Sequence, residues 1–316
     1  MASRLPLAVA SVAAPPPAAR PRAGLLEREG MLAGVFLTPT VLILGLFLAY
    51  PFFLGVWLSF SDKSVGQAAT FIGLGNFTAI FSSEIFRRTV GNTFVYTGFA
   101  TALKLVLGTI LALLMNRHFR AKRFVRAAML LPFIVPTVLS TLAWSWMFDA
   151  TFSVFNWMLR QVWALAGAQF VPIRWLGDTT LAMTSIIVVN TWRGVPFFAI
   201  SILAGLQTIN PELHEAAAID GANAWQRFWR VTLPLIKPVV IVVLLFSIIV
   251  TFADFQLVYV LTRGGPANST HLFATLAYQV GVAGSRLGEG AAISLFMFPF
   301  LLLVVILQLW YIRQEE

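Results

Sequence analysis

Six long apolar runs constrain this chain more than any other feature in it. A helix needs about 20 mostly apolar residues to cross a hydrocarbon layer about 30 Å thick. Six stretches meet that length: about 31–60, 92–115, 127–148, 182–206, 235–258 and 291–312. Several contain proline (Pro39 and Pro51, Pro132 and Pro136, Pro196), which a membrane helix tolerates because neighbouring groups satisfy the freed carbonyls. Composition agrees: 59% of the 316 residues are hydrophobic and 11% are charged, against roughly 25% charged in soluble domains. The reading is an all-α membrane protein with six transmembrane helices in one domain, 31–316. Residues 1–30, with Pro15, Pro16, Pro17 and four arginines, read as a disordered cytoplasmic tail. The alternative is a cleaved or interfacial segment, since Arg4 and the run Leu5 to Ala14 imitate a signal sequence weakly.

The net charge of +9 does not imply nucleic acid here, because basic residues mark the cytoplasmic flanks of membrane helices. Arg4, Arg20, Arg22, Arg28, Arg117, Arg120, Lys122, Arg123, Arg126, Arg227, Arg230, Lys237 and Arg313 fall on one side of the six runs. Fewer, more dispersed residues fall on the other: Lys63, Arg87, Arg88, Arg160, Arg174, Arg263 and Arg286. Both termini are therefore expected in the cytoplasm. The absence of cysteine excludes disulfides, thiolate metal sites and a cysteine nucleophile. His118, His214 and His271 are too scattered to suggest a metal centre. On the outer side, 148–170 has helical periodicity and predicts a short interfacial helix. Trp144, Trp146, Trp157, Trp163 and Trp175 are expected to form an outer aromatic belt.

The stretch 210–234, INPELHEAAAIDGANAWQRFWRVTLP in its setting, is the longest polar interruption in the second half. Asn210 suits an N-cap and Pro211 the first helical position. Glu212 and Glu215 lie in the early turns, where negative charge is favoured. Leu213, Ala216 and Ala217 share a face, and Gly221 breaks the helix. A second short helix follows, with Trp225, Phe228 and Trp229 on one face, and Thr232, Leu233 and Pro234 are expected to end it. Physics alone leaves two readings: a shallow alanine surface for a docking partner, or an amphipathic hairpin packing on its own bundle.

The same stretch resembles the EAA loop of ATP-binding-cassette importer permeases, through Glu215-Ala216-Ala217, Asp220-Gly221-Ala222, Val231, Leu233 and Pro234. In that family this loop is the coupling helix that seats in a cytoplasmic nucleotide-binding subunit. FIGLGNF (71–77), LLPFIVPTVLS (130–140), VNTWRGVPFF (189–198) and YVLTRGGPANST (259–270) resemble the carbohydrate branch, the maltose and glycerol-phosphate type permeases. LTRGGP resembles the first of the two dissimilar permeases in such systems. The resemblance implies a type I importer permease fold in a bacterial inner membrane. It also implies a second, dissimilar permease, two ATPase subunits that bind ATP and Mg²⁺, and a periplasmic or lipid-anchored solute-binding protein. No cofactor is expected in this chain.

Ionisable groups inside spans are functional candidates by default, and Lys104, Arg193 and Asp254 stand out. Asn190, Arg193, Gly194 and Phe197 share one helical stripe. An amide, a glycine gap and a ring suit a sugar: the amide bonds hydroxyls, the gap makes room and the ring packs on the apolar sugar face. By resemblance, positions matching Asn190, Gly194 and Phe197 contact solute in maltose-type permeases, as does an amide where this chain has Asp254. Asp254 and Arg193 depart from that pattern, which puts maltose itself in doubt. Arg193 and Asp254 forming a structural ion pair is the competing reading. Gln256 is a further candidate.

The chain has no G-x-x-x-x-G-K-[ST] phosphate loop, so ATP binds elsewhere and the chain is not expected to be an enzyme. The sequence thus points to a permease subunit carrying a sugar, oligosaccharide or sugar derivative. The alternatives are a permease for another polar solute such as a glycerol-phosphate compound, and an ion-coupled secondary transporter with Asp254 as its acidic group.

Overall fold

A computed structural model describes residues 29–117 and 120–315. The tail assigned to 1–30 lies outside these residues except for Glu29 and Gly30, which open the first helix. His118 also lies outside them. The chain divides into two units, Met1–Phe53 and Leu54–Glu316.

In the first unit, α1 (Glu29–Leu44) runs through a π-helical turn at Gly45–Ala49 into the opening of α2 (Tyr50–Ser59). Leu32–Ser59 is long and apolar enough to cross a membrane, with mean hydropathy 2.3. A helix apolar all round is at home in lipid rather than water.

The second unit continues with a two-residue ladder, β1 (Ser61–Asp62) against β2 (Thr70–Phe71), antiparallel with Ser61 opposite Phe71. α3 (Gly75–Ser82) follows; Asn76 Nδ2 donates to the Ser59 and Ser61 carbonyls, both at 2.9 Å, and fixes this turn. α4 (Glu84–Asn116) is capped by Ser83, whose hydroxyl accepts from the Phe86 amide. It begins eight residues before the apolar run at Asn92, so the span is longer than hydropathy alone predicts.

The third run is not one straight span. Its residues form α5 (Lys122–Met129), α6 (Leu131–Ile134) and α7 (Thr137–Met147), and Lys122–Ile134 meets Thr137–Met147 at 90°. The reason lies in Val135, which is extended ahead of Pro136: proline disfavours helical geometry in the residue before it. Two prolines that a helix was expected to absorb instead punctuate this one.

α8 (Val154–Leu165) is the helix expected at the outer interface, capped by Ser153. Asn156 ties it down: its side chain donates to the Ile173 carbonyl at 3.0 Å and accepts from the Ile173 amide and Trp175 Nε1. Trp144 and Trp175 pack with Phe148 and Phe155 and are half-buried. Trp146, Trp157 and Trp163 remain exposed. α9 (Thr179–Leu206) follows, capped by Asp178, which accepts from two backbone amides.

α10 (Pro211–Ile219) and α11 (Ala224–Arg227) form the polar interruption. α11 does not stop at Thr232–Pro234 as expected. A π turn over Phe228–Thr232 carries it into α12 (Leu233–Phe252), and Ala224–Phe252 is one continuous helix. Pro234 stands in the first turn of α12, where its missing N–H is absorbed by the wider π-helical turn before it. α12 ends at Phe252, six residues before the expected bound, and Asp254 falls in the break ahead of α13 (Gln256–Leu261). α14 (Phe273–Tyr278), α15 (Leu287–Leu295) and α16 (Met297–Glu315) complete the unit. Among the described residues five helices are long and apolar enough to span, six if the bent pair is one span.

α4 and α9 make the central pair. At Gly108 an added Cβ would lie 2.4 Å from Phe198 Cβ, so the glycine lets the two helices approach as small residues do in membrane bundles. Below this crossing Ala112, Met115, Ile202, Leu206 and Ile236 are buried together. Above it Tyr96, Ala100, Ile186, Val189 and Leu257 form a second cluster.

Candidate functional site

Two sites emerge, one at the polar interruption and one inside the helical bundle. At the first, Asn210 caps α10 by accepting from the Glu212 amide at 3.1 Å, with Pro211 at the first position. The helix ends at Asp220. The Gly221 amide donates to the Ala218 carbonyl (3.1 Å) and the Ala222 amide to the Ala217 carbonyl (2.9 Å). This paired closure requires a left-handed residue, and Gly221 has φ +79°. Asn223 then restarts the chain: it accepts from the Gln226 amide while Gln226 accepts from the Asn223 amide, both at 2.9 Å. This reciprocal cap has a sequence signature, Asn followed three residues later by Gln, that the sequence reading passed over. Glu215, Ala216, Asp220 and Gly221 are exposed, with Ala217 and Ala222 partly so. Trp225, Phe228 and Trp229 cluster with tilted and edge-to-face rings, the two indoles 5.5 Å apart at 65°. Leu233 and Pro234 lie beyond, inside the continuous helix.

The second site gathers polar side chains from α4, α7, α9, the end of α12 and the α12–α13 break. The Tyr96 hydroxyl donates to Asp254 Oδ2 at 2.6 Å, and Asn190 Nδ2 donates to the same oxygen at 3.0 Å. Asp254 Oδ1 accepts from the Leu257 amide at 3.4 Å. Lys104 Nζ donates to Thr251 Oγ1 at 2.7 Å, and Arg193 Nη2 to Thr137 Oγ1 at 2.6 Å. Asn190 Oδ1 and Arg193 Nε are buried without a hydrogen-bond partner.

These contacts bear on several expectations. Arg193 and Asp254 do not form an ion pair: the two salt bridges among the described residues are Arg88–Glu84 and Arg286–Glu289. Asp254 is satisfied by a phenol, an amide and a backbone N–H, while Arg193 turns to α7. The gap at Gly194 holds a side chain of this chain. A Cβ there would lie 2.2 Å from Lys104 Cδ, so the glycine makes room for the lysine stem crossing from α4. Phe197 stacks on Phe133 (5.8 Å, 19°) and lies 5.5 Å from Phe246. Gln256 opens α13, exposed and outside this cluster.

Sequence reasoning missed Tyr96, Phe133, Thr137 and Thr251. Only Tyr96 carried a signal, since Tyr96, Ala100 and Lys104 repeat every four residues and share a face of α4. Thr137 and Thr251 became partners through a bend and a helix crossing that no local pattern encodes.

A bundle of long apolar helices, a proline-broken span and an exposed, capped helical turn between two spans define a multi-pass membrane protein. Residues 104–314 match the family of binding-protein-dependent transport system inner membrane components, and the chain belongs to that family. It is 33% identical to the trehalose/maltose transport system permease protein MalF of Thermococcus litoralis, over 90% of this chain and 95% of that one. It is 35% identical to the sulfoquinovosyl glycerol transport system permease protein SmoG of Agrobacterium fabrum, over 91% and 92%. The fold matches a solved bacterial ABC transporter involved in import of the acidic polysaccharide alginate (TM-score 0.75, 24% identity, 92% and 96% covered). The type I ABC importer permease fold expected from the sequence is therefore the fold observed, and the protein is a multi-pass inner-membrane permease.

Proposed function

We propose that this chain forms one half of the path of an ATP-driven importer for a sugar, an oligosaccharide or a sugar derivative. The observation that carries the solute reading is the interior polar cluster. Asn190 Oδ1 and Arg193 Nε are buried polar atoms with no partner, and such atoms are costly unless something hydrogen-bonds them. A hydroxyl-rich solute supplies both donors and acceptors, and the Phe133–Phe197 stack beside them offers an apolar face. The names of the related permeases, trehalose/maltose and sulfoquinovosyl glycerol, favour the same class. An ion-coupled carrier would need Asp254 as its acidic group, whose oxygens accept from Tyr96, Asn190 and the Leu257 amide; the protonophore experiment below separates the two readings.

In this reading both termini face the cytoplasm, and α10 with its Gly221 closure is the surface on which an ATPase subunit docks. That subunit binds ATP and Mg²⁺; a second, dissimilar permease completes the path, and an external binding protein delivers solute. The small side chains of Ala216 and Ala217 permit close approach of another body, and the two caps hold the segment's shape before docking.

The test is uptake by proteoliposomes holding the full complex with its binding protein. ATP-dependent accumulation of a sugar, insensitive to a protonophore, is expected. Accumulation abolished by the protonophore with ATP present would overturn the reading.

A further inference from the structure

A groove of about 890 Å³ lies between the second half of α4 and the α11–α12 helix. It extends along α4 from Leu105 to Arg117, about 18 Å at 1.5 Å per residue. That is roughly the depth of one leaflet, half of the ~30 Å hydrocarbon core. The deep part is mostly apolar, lined by Leu105, Ile110, Leu113 and Val240, with Thr109 among them donating its hydroxyl to the Leu105 carbonyl at 2.7 Å. The end near the polar interruption carries Arg117, Arg227 and His214, flanked by Trp225 and Trp229. Neither arginine nor the histidine has an ion pair among the described residues.

This grading from hydrocarbon to cation over one leaflet's depth, with indoles at the change, is the chemistry of a phospholipid site with an anionic headgroup. We propose that the groove binds an anionic glycerophospholipid, one acyl chain along Leu105–Leu113 and the phosphate between Arg117 and Arg227. A zwitterionic lipid would fill the apolar part but leave the cationic end under-neutralised. A protein helix in the same groove would need its own carboxylates to meet both arginines. The bound lipid joins the end of α4 to α10 and α11, so it stiffens the segment on which the ATPase subunit is proposed to dock. The inference rests on that reading for its consequence and on the groove for its chemistry.

The experiment uses the assembled complex in nanodiscs of phosphatidylcholine, with or without phosphatidylglycerol, and reads retained lipid by native mass spectrometry and ATPase rate with the binding protein. Wild type is expected to retain phosphatidylglycerol preferentially and to hydrolyse ATP several-fold faster with it. The Arg117→Gln/Arg227→Gln variant should lower the phosphatidylglycerol preference about tenfold or more. Leu113→Trp should displace the lipid while leaving both charges in place. Equal retention of the two lipids by wild type, or unchanged preference in the double variant, overturns the proposal. So does an efficient disulfide from Leu113→Cys in this cysteine-free chain to a cysteine in the second permease, because protein then fills the groove. Binding-protein-stimulated ATP hydrolysis with no lipid dependence would sink the lipid site alone, whereas its absence in every lipid would sink the transport reading.

Discussion

Asp254 is the residue on which the interior cluster turns. A carboxylate inside a membrane protein is costly unless several donors meet it, and here Tyr96, Asn190 and the Leu257 amide do so. Asp254→Asn replaces a charged acceptor with an amide that cannot accept as strongly. Charge-assisted hydrogen bonds contribute about 1.5–3 kcal/mol. If the cluster meets solute, the variant should change the relative uptake of different sugars by about tenfold or more. Unchanged selectivity alongside a lower melting temperature would make Asp254 purely structural. Gly194 gives a second residue-scale expectation. An alanine there meets the Lys104 stem at 2.2 Å, and overpacking costs about 1–3 kcal/mol. Gly194→Ala should therefore destabilise the protein, and adding Lys104→Ala should recover part of the loss in a double-mutant cycle. Additive losses would show that the two side chains do not compete for the same space. His271, buried against Gly264, has its pKa lowered from the usual 6.5 by burial. Its neutral form is the one the fold accepts, so its contribution is present above about pH 6.5 and lost as the pH falls below it. His271→Gln should flatten part of the fall in thermal stability between neutral and mildly acid pH.

At the scale of elements, α10 and α11 are fixed more by their caps than by burial, since no residue of either helix is buried. The turn between them depends on Gly221, because proline has φ near −65° and no amide hydrogen, whereas Gly221 has φ +79° and donates to Ala218. Gly221→Pro should abolish ATPase recruitment while insertion and the bundle survive, measured by co-purification of the ATPase subunit. Glu215→Lys should weaken the same interaction by reversing an exposed charge beside the alanine face. Recruitment and uptake at wild-type levels in both variants would remove this segment from the coupling role. The third span shows a different logic: proline decides the path of the chain there, and the bend at Val135–Pro136 turns Thr137 towards Arg193.

For the whole molecule, charge asymmetry predicts one orientation. Arg120→Cys, in the basic loop after α4, should react with a membrane-impermeant thiol reagent only in inverted vesicles. Ala150→Cys, in the loop before α8, should react only in intact cells; both positions are exposed. The opposite labelling would reverse the topology and place α10 on the outer side, which the proposed coupling does not allow.

Periodicity and composition reached the all-α membrane fold, the helix-starting Asn210–Pro211, the break at Gly221 and the candidate residues Asn190, Arg193 and Asp254. Those features are local: hydropathy is summed along the chain, and caps and left-handed glycines act within a few residues. What each polar group faces was decided only in three dimensions. Arg193 met Thr137 instead of Asp254, Lys104 filled the space at Gly194, and Trp144 and Trp175 packed against Phe148 and Phe155. Partners across helices depend on crossing angles and on where a proline bends a span, and neither is written in the spacing of any one segment.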